Sequence, residues 1–159
     1  HHEVVGARMT KKILKELKYD NTTIKDISLL VEQHLRPHTF KMGWTDSAVR
    51  RYIVDAGHML EDLNQLVRAD VTTKNKTKAK EIYDNLDEME KRIQEVKAKE
   101  ELSKIRPALS GDEIMKHFNI QPGPKVGVIM KALYEQRIND GEVSKEEALQ
   151  LAEETFKNL

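Results

Sequence analysis

The 159 residues carry 27 basic and 27 acidic side chains, are 38% hydrophobic and 34% charged, and contain no cysteine. That excludes a disulfide framework and thiolate chemistry. It also excludes a chain-wide basic field, so any RNA contact must be a local patch, and no apolar run approaches the ~20 residues of a membrane span.

Aromatics make up 5% of the chain, and only seven glycines and four prolines interrupt it. This is the profile of an all-α protein with broad solvated faces. No signal peptide is visible, so a cytoplasmic protein is expected. The sequence starts inside a helix-like stretch rather than at a methionine, and a piece of a longer protein is expected.

Apolar spacing is helical almost throughout. Val5, Met9, Ile13 and Leu17 mark a first helix that ends near Tyr19-Asp20-Asn21. Thr23 is the predicted cap of a second, carrying Ile24, Ile27, Leu30 and Val31. "RPHTFKMGW" (36–44) reads as a loop, because Pro37 and Gly43 interrupt any period. Thr45 opens a third helix with Val49, Tyr52, Ile53 and Ala56, broken at Gly57. A fourth carries Leu60, Leu63, Leu66 and Val67.

A long helix is predicted from about Lys74 to Leu102. Its stripe of Ile82, Leu86, Met89, Ile93 and Val96 is narrow and surrounded by charge. Such a seam fits packing within the molecule, and a coiled-coil dimer is the alternative. "IRPALSGDE" (105–113) is the best internal boundary, giving a region 1–104 and a region 105–159. Ser110 and Glu113 have capping-box spacing for a helix running to Phe118. The turn "NIQPGP" (119–124), a helix from Lys125 to about Asn139 and a turn at Asp140-Gly141 follow. Ser144 and Glu147 form a second capping box for the last helix, which ends on Phe156. No segment alternates with period two, so no strand is expected.

Three helices end their apolar stripes in a residue able to bind metal. His1 and His2 precede Val5 by four and three, His34 follows Leu30 and Val31, and Asp70 follows Leu66 and Val67. Imidazole and carboxylate together suit a divalent transition metal that could activate water for phosphoester hydrolysis. The competing reading is three ordinary boundary residues.

"RADVTTKNKTKAK" (68–80) gathers Arg68, Thr72, Thr73, Lys74 and Lys76, followed by Lys78 and Lys80, near one helix start. This is a candidate phosphate-contact stretch, although a solvated helix start looks the same. "QPGPKVG" (121–127) offers a second, with Gly123 and Gly127 allowing close backbone approach and Lys125 adding charge. Nothing resembles a nucleophile triad, a Walker loop or a dinucleotide fingerprint, and neither a His-Asp dipeptide nor an Asp-x-Asp occurs.

"HHEVVGARM", "LVEQHLRPH", "WTDSAVRRYIVDAG", "LVRADVTTKN" and "IRPALSGDEIMKHFNIQPGPKVG" occur in that order. Together they resemble the C-terminal half of bacterial CCA-adding tRNA nucleotidyltransferases, the class that includes bacterial poly(A) polymerases, in the version with an HD domain. The resemblance covers essentially the whole chain.

It implies a partial HD-type helical domain with a long connecting helix over 1–104. Over 105–159 it implies a small helical tRNA-binding subdomain. A head outside this sequence would hold the paired aspartates, magnesium and ATP or CTP. The HD histidines would fall at the front of the chain and at His34, with His38 a further candidate, and the closing aspartate at Asp70. The family's His-Asp dipeptide is missing here, so poor metal affinity and no phosphohydrolase activity are expected, although a divalent ion could still sit on His2, His34 and Asp70.

The resemblance makes His1 and His2 native residues; a fused tag is the alternative. It favours tRNA as the partner of Arg68, Thr72, Thr73, Lys74, Lys76, Gly123 and Lys125. An HD-type metal-dependent phosphohydrolase and a purely structural helical module are the other expectations that stand.

Overall fold

The computed structural model describes residues 2–100 and 105–159, with Met42 described by its backbone alone. The fold is all-α: eight α-helices and two short 3-10 helices, with no strand among the described residues. The helices are α1 (His2–Glu16), α2 (Asn21–Gln33), α3 (Asp46–Ala56), α4 (Leu60–Ala69), α5 (Lys76–Glu100), α6 (Gly111–Phe118), α7 (Pro124–Asp140) and α8 (Lys145–Lys157). No helix is long and apolar enough to cross a membrane among the described residues. His1 and the predicted helix end at Leu102 lie outside them.

Two compact units form. One comprises residues 1–45 and 52–94, the other residues 46–51 and 95–159. The second therefore begins before the Pro107 boundary and takes in the first turns of α3.

In the first unit α1 lies on α2, but not by the face its large apolar residues suggested. Val5, Met9, Ile13 and Leu17 are exposed, whereas Ala7 and Ser28 are buried. A Cβ on Gly6 would come 3.1 Å from Val31 Cγ1. The helices thus meet through small residues, which let backbones approach closely at the expense of side-chain burial.

The turn into α2 also differs from expectation. Asp20, not Thr23, is the cap: its Oδ1 accepts from the Thr23 amide at 3.0 Å and its Oδ2 from the Thr23 hydroxyl at 2.6 Å. Those bonds hold the Asp20 carboxyl below its ordinary pKa, the Thr23 hydroxyl contributing most.

Arg36–Met42 is a 3-10 helix rather than a loop. Pro37 sits in its first turn, where a fixed φ and a missing N–H do no harm. Thr39 ties it together, its hydroxyl donating to the Arg36 carbonyl at 2.8 Å and accepting from Trp44 Nε1 at 3.0 Å. Trp44 meets Phe40 edge-on at 5.7 Å and Tyr52 at 5.2 Å. The Arg36 guanidinium lies 5.7 Å from the Tyr52 ring centre and pairs with Asp55 at 2.7 Å. Tyr52 is fully buried, and its hydroxyl donates to Asn64 Oδ1 at 2.8 Å. Burial raises its pKa. Of the predicted α5 stripe, Leu86, Met89, Ile93 and Val96 are buried, while Ile82 is only half-buried.

In the second unit α6, α7 and α8 close over Leu109, Ile114, Ile129, Leu133, Ala148 and Ala152. Both capping boxes form: Ser110 Oγ accepts from the Glu113 amide and Ser144 Oγ from the Glu147 amide, each at 3.2 Å. Glu113 also accepts from Lys145 Nζ at 2.6 Å.

The buried charges of this unit are Arg50 and Arg137, each 6% exposed. They share Glu100: Arg50 Nε donates to Oε1 at 3.1 Å and Arg137 Nη1 to Oε2 at 3.3 Å. Arg50 Nη1 donates to the carbonyls of Ile138 and, at 3.0 Å, Asn139 at the end of α7. Gly141, at φ +84°, lets the chain turn there; a Cβ would lie 3.3 Å from Arg50 Nη2.

Replacing Arg50 by alanine leaves Glu100 short of a partner and two carbonyls without donors. It should cost about 3–5 kcal/mol in urea denaturation. An unchanged midpoint would refute that role.

Glu113 is held down from 4.5 to about 2, first by Lys145 and then by the Ser110 amide. A carboxylate depressed on folding stabilises above its unfolded pKa, and the contribution is lost as pH falls through the folded one. The melting temperature should therefore drop between about pH 4.5 and 2, and Glu113→Gln should flatten that part of the profile. Identical acid limbs for the two proteins would contradict this.

Candidate nucleic-acid interface and histidine pair

The sequence-predicted residues separate into three places. The first is where α1 begins and α2 ends. The His2 and His34 rings come together there, with centroids 6.1 Å apart. His34 Nδ1 donates to the Val31 carbonyl at 2.6 Å, one turn back on α2. In the neutral ring that bond fixes the tautomer and leaves Nε2 with its lone pair, the arrangement a metal-binding imidazole needs.

Asp70 caps the end of α4, where its amide donates to the Leu66 carbonyl at 2.9 Å. Among the described residues no three His, Cys, Asp or Glu side chains gather as a metal-binding group. Two imidazoles fall short of the three protein ligands of a catalytic zinc centre. The described residues alone do not fit a resident metal. His38 lies in the 3-10 helix, its amide bonded to the Leu35 carbonyl.

The second place is the basic stretch before α5. Arg68 is committed: Nε donates to Glu90 at 2.9 Å and Nη2 to Asp87. These bonds, Glu90's first, raise its pKa. It lines a cleft of about 280 Å³ together with Glu61, Glu90, Asn64, Gln65 and Gln94. Two carboxylates in that wall repel phosphate, so Arg68 acts as a clamp between α4 and α5.

The lysines differ. Lys74, Lys76 and Lys78 are exposed, while Lys80 is paired with Asp84 at 2.7 Å. Asn75 caps α5, its Oδ1 accepting from the Lys78 amide at 3.1 Å, and Thr73 Oγ1 accepts from the Asn75 amide at 3.3 Å. Thr72 is exposed beside them. The sequence reading missed the Asn75 cap, although a short polar residue just before a helical run is its signature.

The third place is the start of α7. Gly123 is extended, at φ 173°, and no side chain caps the helix. Pro124 occupies its first turn. Lys125 Nζ lies 5.4 Å from the Phe156 ring centre, and Phe156 stacks on Phe118 at 4.5 Å. The cation is held over an aromatic face and remains exposed. Lys125 and Gly123 thus present one charge and a bare backbone.

The family described as tRNA nucleotidyltransferase domain 2 matches residues 4–152. The chain belongs to this family. It is 30% identical over 138 residues to an A-adding tRNA nucleotidyltransferase of Deinococcus radiodurans, covering 86% of this chain and 30% of that protein. It is also 30% identical over 149 residues to a CC-adding tRNA nucleotidyltransferase of Thermus thermophilus, covering 92% of this chain and 31% of that protein. The chain thus spans about a third of the length of these relatives. No solved structure matches it.

A histidine pair with no third ligand among the described residues binds divalent metal weakly. EDTA should leave the melting temperature of this chain unchanged. Zinc or nickel should raise it only at concentrations far above those that saturate a three-ligand site. A chelator-induced drop in melting temperature would show a tightly held metal.

Proposed function

We propose that this chain is the tRNA-holding C-terminal part of a tRNA nucleotidyltransferase, acting in maturation of the tRNA 3′ end. In this reading nucleotide addition is carried out by a part of the enzyme beyond these 159 residues, where magnesium and ATP or CTP would bind. The observation that carries it is the match itself: one domain family spans residues 4–152, within relatives three times as long.

Equal identity to an A-adding and a CC-adding enzyme supports a shared task for this region, common to enzymes that add different nucleotides. Gripping the tRNA is such a task, and nucleotide choice is not. The exposed Lys74, Lys76 and Lys78 with Thr72 suit phosphates, as do Gly123 and Lys125.

The test is tRNA binding by fluorescence anisotropy across a salt series. Each lost phosphate contact lowers the log–log slope by about 0.7–0.9. Replacing Lys74, Lys76 and Lys78 by glutamate should therefore flatten the slope by about 2–3 and weaken binding without lowering the melting temperature. Arg68→Ala should do the reverse, loosening α4 from α5 and leaving the slope alone. Equal, weak binding of tRNA and of an unrelated polyanion at low salt would sink the proposal.

The paired His2 and His34 favour a second reading, a metal-dependent phosphohydrolase centre completed by ligands from outside these residues. Assay of the longer gene product on phosphomonoesters and cyclic phosphodiesters with nickel, cobalt, manganese or magnesium decides it. Absence of turnover with all four counts against it.

A further inference from the structure

Three large apolar side chains of α1 are half-exposed or more. Val5, Met9 and Ile13 are 52%, 58% and 50% exposed, and Leu17, just past the helix end, is 64% exposed. Steps of four keep neighbours in the row adjacent on the helix surface. Val5, Met9 and Ile13 lie on the side away from Ala7, which is buried. Ile27, Leu66, Tyr83 and Val128 are also exposed, but they fall one to a helix. A single exposed apolar residue is ordinary; a row of four marks a surface that meets something.

The flanks of this row state the chemistry of what covers it. Helical spacing sets Arg8, Lys12 and Lys15 along one edge of it, whereas Lys11 lies on the opposite side, in a cleft with Ala7 and Ser28. Lys12 lies 3.9 Å from Glu16 in a well exposed pair, and Glu32 of α2 shares a cleft with Arg8 and Lys11. A complementary surface is apolar along its middle and acidic along one edge. A second copy of this chain fits poorly, because it would bring the same excess of cations against itself.

We propose that the outer face of α1 is a docking surface for an apolar, acid-flanked helix from the part of the enzyme that lies outside these 159 residues. This rests on the reading that the chain is one part of a longer tRNA nucleotidyltransferase. The length of the relatives supplies the material, since about two thirds of each lies beyond the matched region. Docking there would bury Met9 and Ile13 at the centre of the interface.

Peroxide oxidation of Met9, followed by mass spectrometry, tests this in the 159-residue chain and in the longer gene product. Met89 is 0% exposed and serves as the slow internal reference. Met9 should oxidise readily in the short chain and about tenfold or more slowly in the long one. Met9→Glu should lower the melting temperature of the long protein by several degrees and leave that of the short chain unchanged.

Equal Met9 oxidation in both proteins overturns the proposal. So does an equal loss of stability in both on Met9→Glu. A dimeric short chain with Met9 already protected also overturns it, by assigning the face to a second copy. A gene product no longer than this chain removes the occupant and does the same. Binding of tRNA is read separately: a protected Met9 without tRNA affinity upholds the docking and refutes only the tRNA-holding role.

Discussion

Two guanidinium groups share one carboxylate in the second unit, and much of that unit's order depends on it. Burying Arg50 and Arg137 is costly unless every donor is used and the charge is balanced. Glu100 supplies one balancing charge and Glu142, 3.6 Å from Arg137 Nη2, a second, while the end of α7 supplies carbonyls, where the helix dipole already favours a cation. The arrangement draws residues far apart in sequence into one unit. It explains why residues 46–51 are grouped with 95–159, although more than forty positions separate them. It also fixes one end of α7, the helix whose other end presents Gly123 and Lys125.

What could be read from the sequence follows the range of the forces involved. The two capping boxes, the break at Gly57 and the seam of α5 came from contacts between residues a few positions apart, and all are present. The inward face of α1 was not legible. Hydrophobic spacing finds the apolar side of a helix and carries no information about what covers it. Gly6, Ala7 and Ser28 pack α1 on α2 by being small, which a hydrophobic count does not register. Pro37 was equally ambiguous: it ends most helices, yet it suits the first turn of one, and here it occupies that turn.

The functional residues show the same division. Counting basic residues put Arg68 and Lys74 on equal terms. The structure separates them, because Asp87 and Glu90 lie nineteen and twenty-two positions further along the chain and claim the arginine. His2 and His34 stood in the sequence at the ends of two apolar stripes, and their rings lie 6.1 Å apart. Asp70 stood as an equal third on the same logic, yet it ends α4 outside any three-ligand cluster among the described residues. Family membership was carried by the order of whole segments, which survives at an identity where single motifs do not.

Glu113 has two tasks. It completes the box that opens α6, and it receives Lys145, the first residue of α8. The beginnings of two helices distant in sequence therefore lean on one side chain. When the first turn of α6 loosens, Lys145 loses its partner, and the start of α8 is left to the Ser144–Glu147 box alone.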